Sequence, residues 1–149
     1  MQRIIWLRLR TKVRICGLRS KIIPLRGCLI LSMEEQKITI YYNKSCSKCR
    51  YALSALDEAG APSERIEYLK DRPDPDKLAW IIDRLGGDPL QIIRQSEALY
   101  LENYKDKTLS KAEWIQVLHE HPILMQRPIL IKGDQVIIGR TPEALEGML

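Results

Sequence analysis

The 149-residue chain has no apolar run near the roughly 20 residues that a membrane-crossing helix needs. Its longest apolar stretches are short and broken by charge. Cysteine is sparse. Four residues (Cys16, Cys28, Cys46 and Cys49) are too few for a secreted disulfide scaffold in this length. Histidine is nearly missing, with only His119 and His121. No internal repeat and no low-complexity tract is present. Nothing in the composition points to collagen or to a disordered chain. What remains is a length that suits one domain with a single core that needs no covalent staples.

Acidic residues are absent from residues 1–32, which hold eight basic ones. The rest of the chain carries 16 basic and 19 acidic side chains, a net charge of −3, although the whole chain stands at +5. The basic character therefore belongs to the N-terminal segment, and the folded part gives no reason to expect nucleic-acid binding. A secretory signal is disfavoured in this segment, because arginine interrupts its apolar residues every few positions. A transit peptide would have the arginine content but few of the hydroxyl residues. A stretch upstream of a natural start at Met33 fits the foreign composition best, with disorder as the structural expectation. A basic arm touching membrane or nucleic acid is the remaining reading.

The folded part is expected over residues 37–149. Lys37 to Tyr42 alternates and is rich in β-formers, which predicts a strand. Ala52, Leu53, Leu56 and Ala59 recur at helical spacing after Ser47, and Gly60 stops that helix. Arg65 to Leu69 predicts a second strand, parallel to the first because a helix links them. Asp74-Pro75 opens a helix bearing Leu78, Ile81, Ile82 and Leu85. Asp88-Pro89 opens a short one through Ile92 and Ile93. Ser110 and Glu113 form a capping box for a helix that ends near His121-Pro122. Pro128–Ile131 and Val136–Ile138 flank a hairpin turn containing Gly133-Asp134. Thr141-Pro142-Glu143 caps a last helix through Leu145 and Met148. The order is βαβ, helices, then ββα. It defines an α/β class with the thioredoxin-like arrangement and an inserted helical subdomain.

Cys46 falls where the first strand has ended and the first helix begins. There a thiol meets unpaired N–H groups and the positive end of the helix dipole, and both favour the thiolate. Such a position lowers a cysteine pKa from about 8.5 toward or below neutrality. Lys48 and Arg50 add positive charge. Cys49 lies one helical turn inward, within disulfide reach, and suits a second, resolving thiol. A close C-x-x-C beside a βαβ pattern reads as a cytoplasmic redox motif. Two bland alternatives stand beside it. The pair could be ordinary buried small residues. A zinc half-site would need further ligands, and His119 and His121 are poorly spaced for joint ligation, so no metal is expected.

In thioredoxin-like folds a cis proline opens the strand opposite the cysteine helix. If Pro128 is that residue, Arg127 projects beside Cys46. Arg94, after the short apolar helix, and Arg140, after the hairpin, each read singly as solvated surface arginines. Together, guanidinium groups around a thiolate would hold a tetrahedral oxyanion through bidentate hydrogen bonds.

The sequence resembles the glutaredoxin-type arsenate reductase family. The likeness is carried by Ile38-Thr39-Ile40-Tyr41-Tyr42-Asn43 leading to Cys46, by Arg50, and by Ile92-Ile93-Arg94. It continues in His121-Pro122-Ile123-Leu124-Met125-Gln126-Arg127-Pro128-Ile129 and in Gly139-Arg140-Thr141-Pro142-Glu143. The resemblance implies a thiol-dependent reduction of arsenate to arsenite. Cys46 would be the nucleophile and Arg94, Arg127 and Arg140 the oxyanion-binding residues, with Asn43, Arg50 and Pro128 in support. It implies no bound cofactor, glutathione as reductant, and glutaredoxin or thioredoxin as electron donor. Two positions depart from the family pattern. Tyr42-Asn43-Lys44 stands where members commonly have His-Asn-Pro, and Cys49 stands where they commonly have Ser or Thr. The second thiol looks like the related Spx-type regulators, which share the fold, carry a C-x-x-C redox switch and bind RNA polymerase. It also offers a Cys46–Cys49 disulfide as a route that needs no glutathione adduct.

Overall fold

Alternation along three strands decides which side of the sheet each residue serves, as the period of two requires. Ile38 and Ile40 of β1 (Ile38–Tyr42) face one side with Leu130 of β3 (Ile129–Lys132). Ala52 and Leu56 of α1 (Ser47–Glu58) and Leu145 of α5 (Pro142–Glu146) cover them. Tyr41, Ile129, Ile131 and Val136 of β4 (Gln135–Ile138) face the other side. There they meet Leu78, Ile81 and Ile82 of α2 (Pro75–Arg84) and Trp114 and Leu118 of α4 (Lys111–Glu120). The computed structural model describes residues 36–149. The readings of residues 1–32, with Cys16 and Cys28, lie outside the described residues.

The four-stranded sheet has the order β2-β1-β3-β4. β2 (Ser63–Glu67) runs parallel to β1, and β3 runs antiparallel to both β1 and β4. The helices between β2 and β3 form the inserted subdomain. The fold is thus α/β and thioredoxin-like, as the element order predicts. Gly60 ends α1 at φ 63°, and Gly133 turns the hairpin at φ 58°. Both values favour a residue without Cβ.

Three elements differ from expectation. β2 starts and ends two residues earlier, because its register sets Ser63 opposite Ile38 and Glu67 opposite Tyr42. Tyr68 therefore follows the strand rather than lying within it. α3 (Ala98–Asn103) is a six-residue helix that the periodicity does not announce. The last helix stops at Glu146, and Met148 is buried beyond it.

A short backbone zipper ties the insertion to the approach to β3. The Arg94 N–H donates to the Leu124 carbonyl at 2.7 Å, and the Gln126 N–H donates to the Ile92 carbonyl at 2.7 Å. Ile93 and Met125, buried between these bonds, pair antiparallel. The zipper fixes the backbone at Arg94 and immediately before Arg127, two candidate arginines.

Candidate active site

β1 delivers the chain to a tight polar loop. The Asn43 side-chain oxygen accepts from the Ser45 N–H at 2.8 Å, and its carbonyl accepts from the Cys46 N–H at 3.1 Å. The loop leaves Cys46 as the N-cap of α1 in extended conformation. Its side chain makes no capping hydrogen bond of normal geometry, yet the N–H groups of Cys49 and Lys48 act on the sulfur. Cys46 is partly accessible, whereas Cys49 is fully buried, and both thiols are free.

Burial pushes the Cys46 thiol up, but other influences outweigh it. The Cys49 N–H, the Arg127 guanidinium, the Cys49 thiol and the Lys48 N–H together hold Cys46 below the ordinary thiol value. This is the direction a helix N-terminus dictates. Cys49 moves the opposite way. Burial pushes it up to about 11, the Asn43 N–H opposes this, and the Cys46 charge adds to the rise. The two thiols are therefore pushed in opposite directions, Cys46 toward the thiolate and Cys49 toward the neutral thiol. Two groups forced apart in this way are a common mark of a reactive site.

Arg127 precedes Pro128 across a cis peptide bond at the entry to β3. Its guanidinium stands beside Cys46 and donates to the Tyr68 hydroxyl at 3.0 Å. Arg94 acts electrostatically on the same phenol. Its Nη1 is buried 2.5 Å from Glu97 Oε2, without an aligned hydrogen bond. Arg140 is exposed and donates to the Gln126 side-chain oxygen at 3.1 Å. It lines a cleft of about 270 Å³ with Ser47, Lys48, Tyr51 and Pro142. Of the three arginines, Arg127 is the one among the influences that lower the Cys46 thiol. Arg50 points away, toward the Lys44 carbonyl at 3.4 Å.

Tyr68 and Gln126 complete this neighbourhood, and no local sequence signal marks either as part of a site. Gln126 also donates to the Ile93 carbonyl at 3.2 Å, so it bridges the insertion and Arg140. His119 lies 3.1 Å from the Pro73 carbonyl, and His121 packs near Tyr104. Among the described residues no set of three or more His, Cys, Asp or Glu side chains is grouped to hold a metal.

A thiol with lowered pKa at the head of the first helix, on a mixed sheet whose third strand follows a cis Arg127–Pro128 bond, fits a thioredoxin-related thiol oxidoreductase. The sequence matches the ArsC family over residues 41–148, and the chain belongs to that family. It is an oxidoreductase of the arsenate-reductase-like class. It is 39% identical over 115 residues to a Streptomyces viridochromogenes protein described as an uncharacterized protein in the glnII region. That match covers 74% of this chain and 97% of the relative. It is 34% identical over 115 residues to an arsenate reductase of Neisseria meningitidis, covering 76% of this chain and 98% of that one. The solved arsenate reductase from Vibrio cholerae superposes with a TM-score of 0.72 at 34% identity. It covers 76% of this chain and 98% of its own.

Proposed function

We propose that residues 37–149 reduce arsenate, or a closely related tetrahedral oxyanion, through Cys46. The observation that carries this reading is the lowered Cys46 thiol at the head of α1 with the Arg127 guanidinium beside it. The thiolate attacks arsenic(V) and a sulfur–arsenic bond forms, while an arsenate hydroxyl takes a proton from solvent and leaves as water. Arg127, joined by Arg94 and Arg140, would offset the negative charge of the adduct. Asn43, Arg50 and Pro128 serve in support by shaping the loop and strand entry that hold these groups.

The adduct changes the second thiol. Once Cys46 is bonded to arsenic the negative charge passes from its sulfur to the arsenate oxygens, where the arginines offset it, and one influence holding Cys49 protonated is weakened. The Asn43 N–H and Arg127 then favour the Cys49 thiolate. Cys49 attacks the Cys46 sulfur and the sulfur–arsenic bond breaks. Its electron pair stays with arsenic, which departs as arsenite, and a Cys46–Cys49 disulfide remains. A thiol donor, glutathione with glutaredoxin or a thioredoxin-type dithiol, returns the two electrons. Such donors are kept reduced in the cytoplasm, where we place the protein. No described helix is long and apolar enough to cross a membrane.

The test is arsenate-dependent oxidation of NADPH by the full chain, coupled through glutathione, glutaredoxin and glutathione reductase. Cys46→Ser and Arg127→Ala should abolish or cripple turnover. Background rates with the unaltered chain would remove the proposal.

The paired thiols also favour a second reading, a redox-switch regulator of the Spx type. It predicts that RNA polymerase is captured by the protein and that oxidation changes the capture. The arsenate assay does not depend on that outcome.

A further inference from the structure

Tyr68 is fully buried in the larger apolar cluster, directly after the last residue of β2. The chain turns sharply there, and the Lys70 and Asp71 N–H groups close on the Glu67 carbonyl at 2.8 and 3.0 Å. Glu67 points outward to Lys44 and Lys70, which sends the next side chain into the core. A phenol placed there must find a hydrogen-bond partner or pay a desolvation penalty. Its partner is the Arg127 Nη1, at 3.0 Å, reached across 59 residues of sequence.

A guanidinium has five donors in a rigid plane, so fixing one arm aims the others. We propose that Tyr68 is a positioning residue for this site, its hydroxyl holding one arm of Arg127 so that the remaining N–H groups face the Cys46 sulfur and an incoming oxyanion. The proposal rests on the reading of Cys46 as nucleophile. Burial keeps the phenol neutral at physiological pH, so it anchors Arg127 without cancelling its charge. An acidic residue in this place would neutralise the guanidinium instead. The charge of Arg94 also acts on this hydroxyl.

The experiment needs no arsenate. Alkylation of Cys46 by iodoacetamide is followed against pH in the full chain. Mass spectrometry of the Cys46 peptide separates it from the other thiols. Tyr68→Phe keeps the ring and removes the acceptor. It should raise the alkylation midpoint and lower the rate at pH 6.5 about threefold, in the direction of Arg127→Ala but by less. In an Arg127→Ala background the same substitution should change nothing further. A Tyr68→Phe profile that overlays the unaltered protein, even with a lowered melting temperature, overturns the proposal. An equal effect with and without Arg127 overturns it as well. With arsenate as substrate, Tyr68→Phe should raise KM more than it lowers kcat. If the chain reduces no arsenate at all, the alkylation result still decides the role of Tyr68.

Discussion

The backbone N–H of Asn43 points at the sulfur of Cys49 across 3.4 Å. The residue that ends the first strand's approach therefore touches the second thiol of the motif rather than the first. This contact offers the Cys49 thiolate a donor in a setting that otherwise opposes its charge. It gives the buried thiol a way to ionise when its neighbour no longer carries charge.

Cys46 should alkylate with a midpoint below that of a free thiol, about 8.5. Burial alone would move it the other way, so the shift measures the N–H groups and Arg127 acting together. Arg127→Ala should raise the midpoint by about one unit, since it removes the adjacent cation and its donors. The check is the pH dependence of iodoacetamide labelling. A midpoint unmoved in Arg127→Ala would separate the arginine from the thiol.

Cys49 gives a stability signature of known sign. Its folded-state value is raised to about 11, so its contribution is fully present below the ordinary thiol value. Between these values the unfolded chain releases the proton and the folded chain keeps it, so stability falls as pH rises. Cys46, being lowered, has the opposite sign, and its contribution is lost as pH falls through its folded value. Melting temperatures of Cys49→Ala and the unaltered protein, compared from pH 8 to 11, should converge as pH rises. A constant gap would contradict the burial assigned to this thiol.

Gln126 is the link between Arg140 and the insertion. Gln126→Ala should free the Arg140 side chain and raise the arsenate KM severalfold, with a smaller change in kcat. Loss of a positioning contact worth about 1 kcal/mol corresponds to roughly fivefold. Steady-state kinetics check this. A fall in kcat at constant KM would place Gln126 in the chemical step instead.

Gly139 precedes Arg140 and has no room for a side chain. A Cβ there would stand 2.5 Å from Leu130 Cδ1 and 2.8 Å from Leu145 Cδ2, both on buried residues that cannot swing aside. Gly139→Ala should cost about 1–3 kcal/mol through overpacking, read as a lower denaturant midpoint. Because the strain falls beside Arg140, anion affinity should fall with it. A neutral substitution would mean that the two leucines repack freely.

The framework was readable where local chemistry and burial agree. Asp74 and Ser110 accept from the N–H groups of Lys77 and Glu113, and Thr141 accepts from Ala144, each at the start of a helix that its sequence announces. Cys46 was readable because a strand-to-helix junction states its own electrostatics. α3 was hidden because Glu97, its N-cap, makes no capping hydrogen bond and six residues show no period. Arg127 could be placed through the family likeness, but the partner that anchors it could not. Tyr68 lies 59 residues away, and only the register of β2 against β1 turns it inward. Arg50 illustrates the limit of counting charge near a motif, since its side chain folds back on the Lys44 carbonyl.

The zipper between residues 92–94 and 124–126 has a consequence for how the molecule comes apart. Its residues Ile92, Ile93, Leu124 and Met125 are buried in the same cluster as Tyr41 and Ile129 of the sheet. The two arginines therefore hang from backbone that has no core of its own to lose. Urea should abolish oxyanion affinity and α1 in one shared transition, with no window in which a reactive thiol survives without its selectivity.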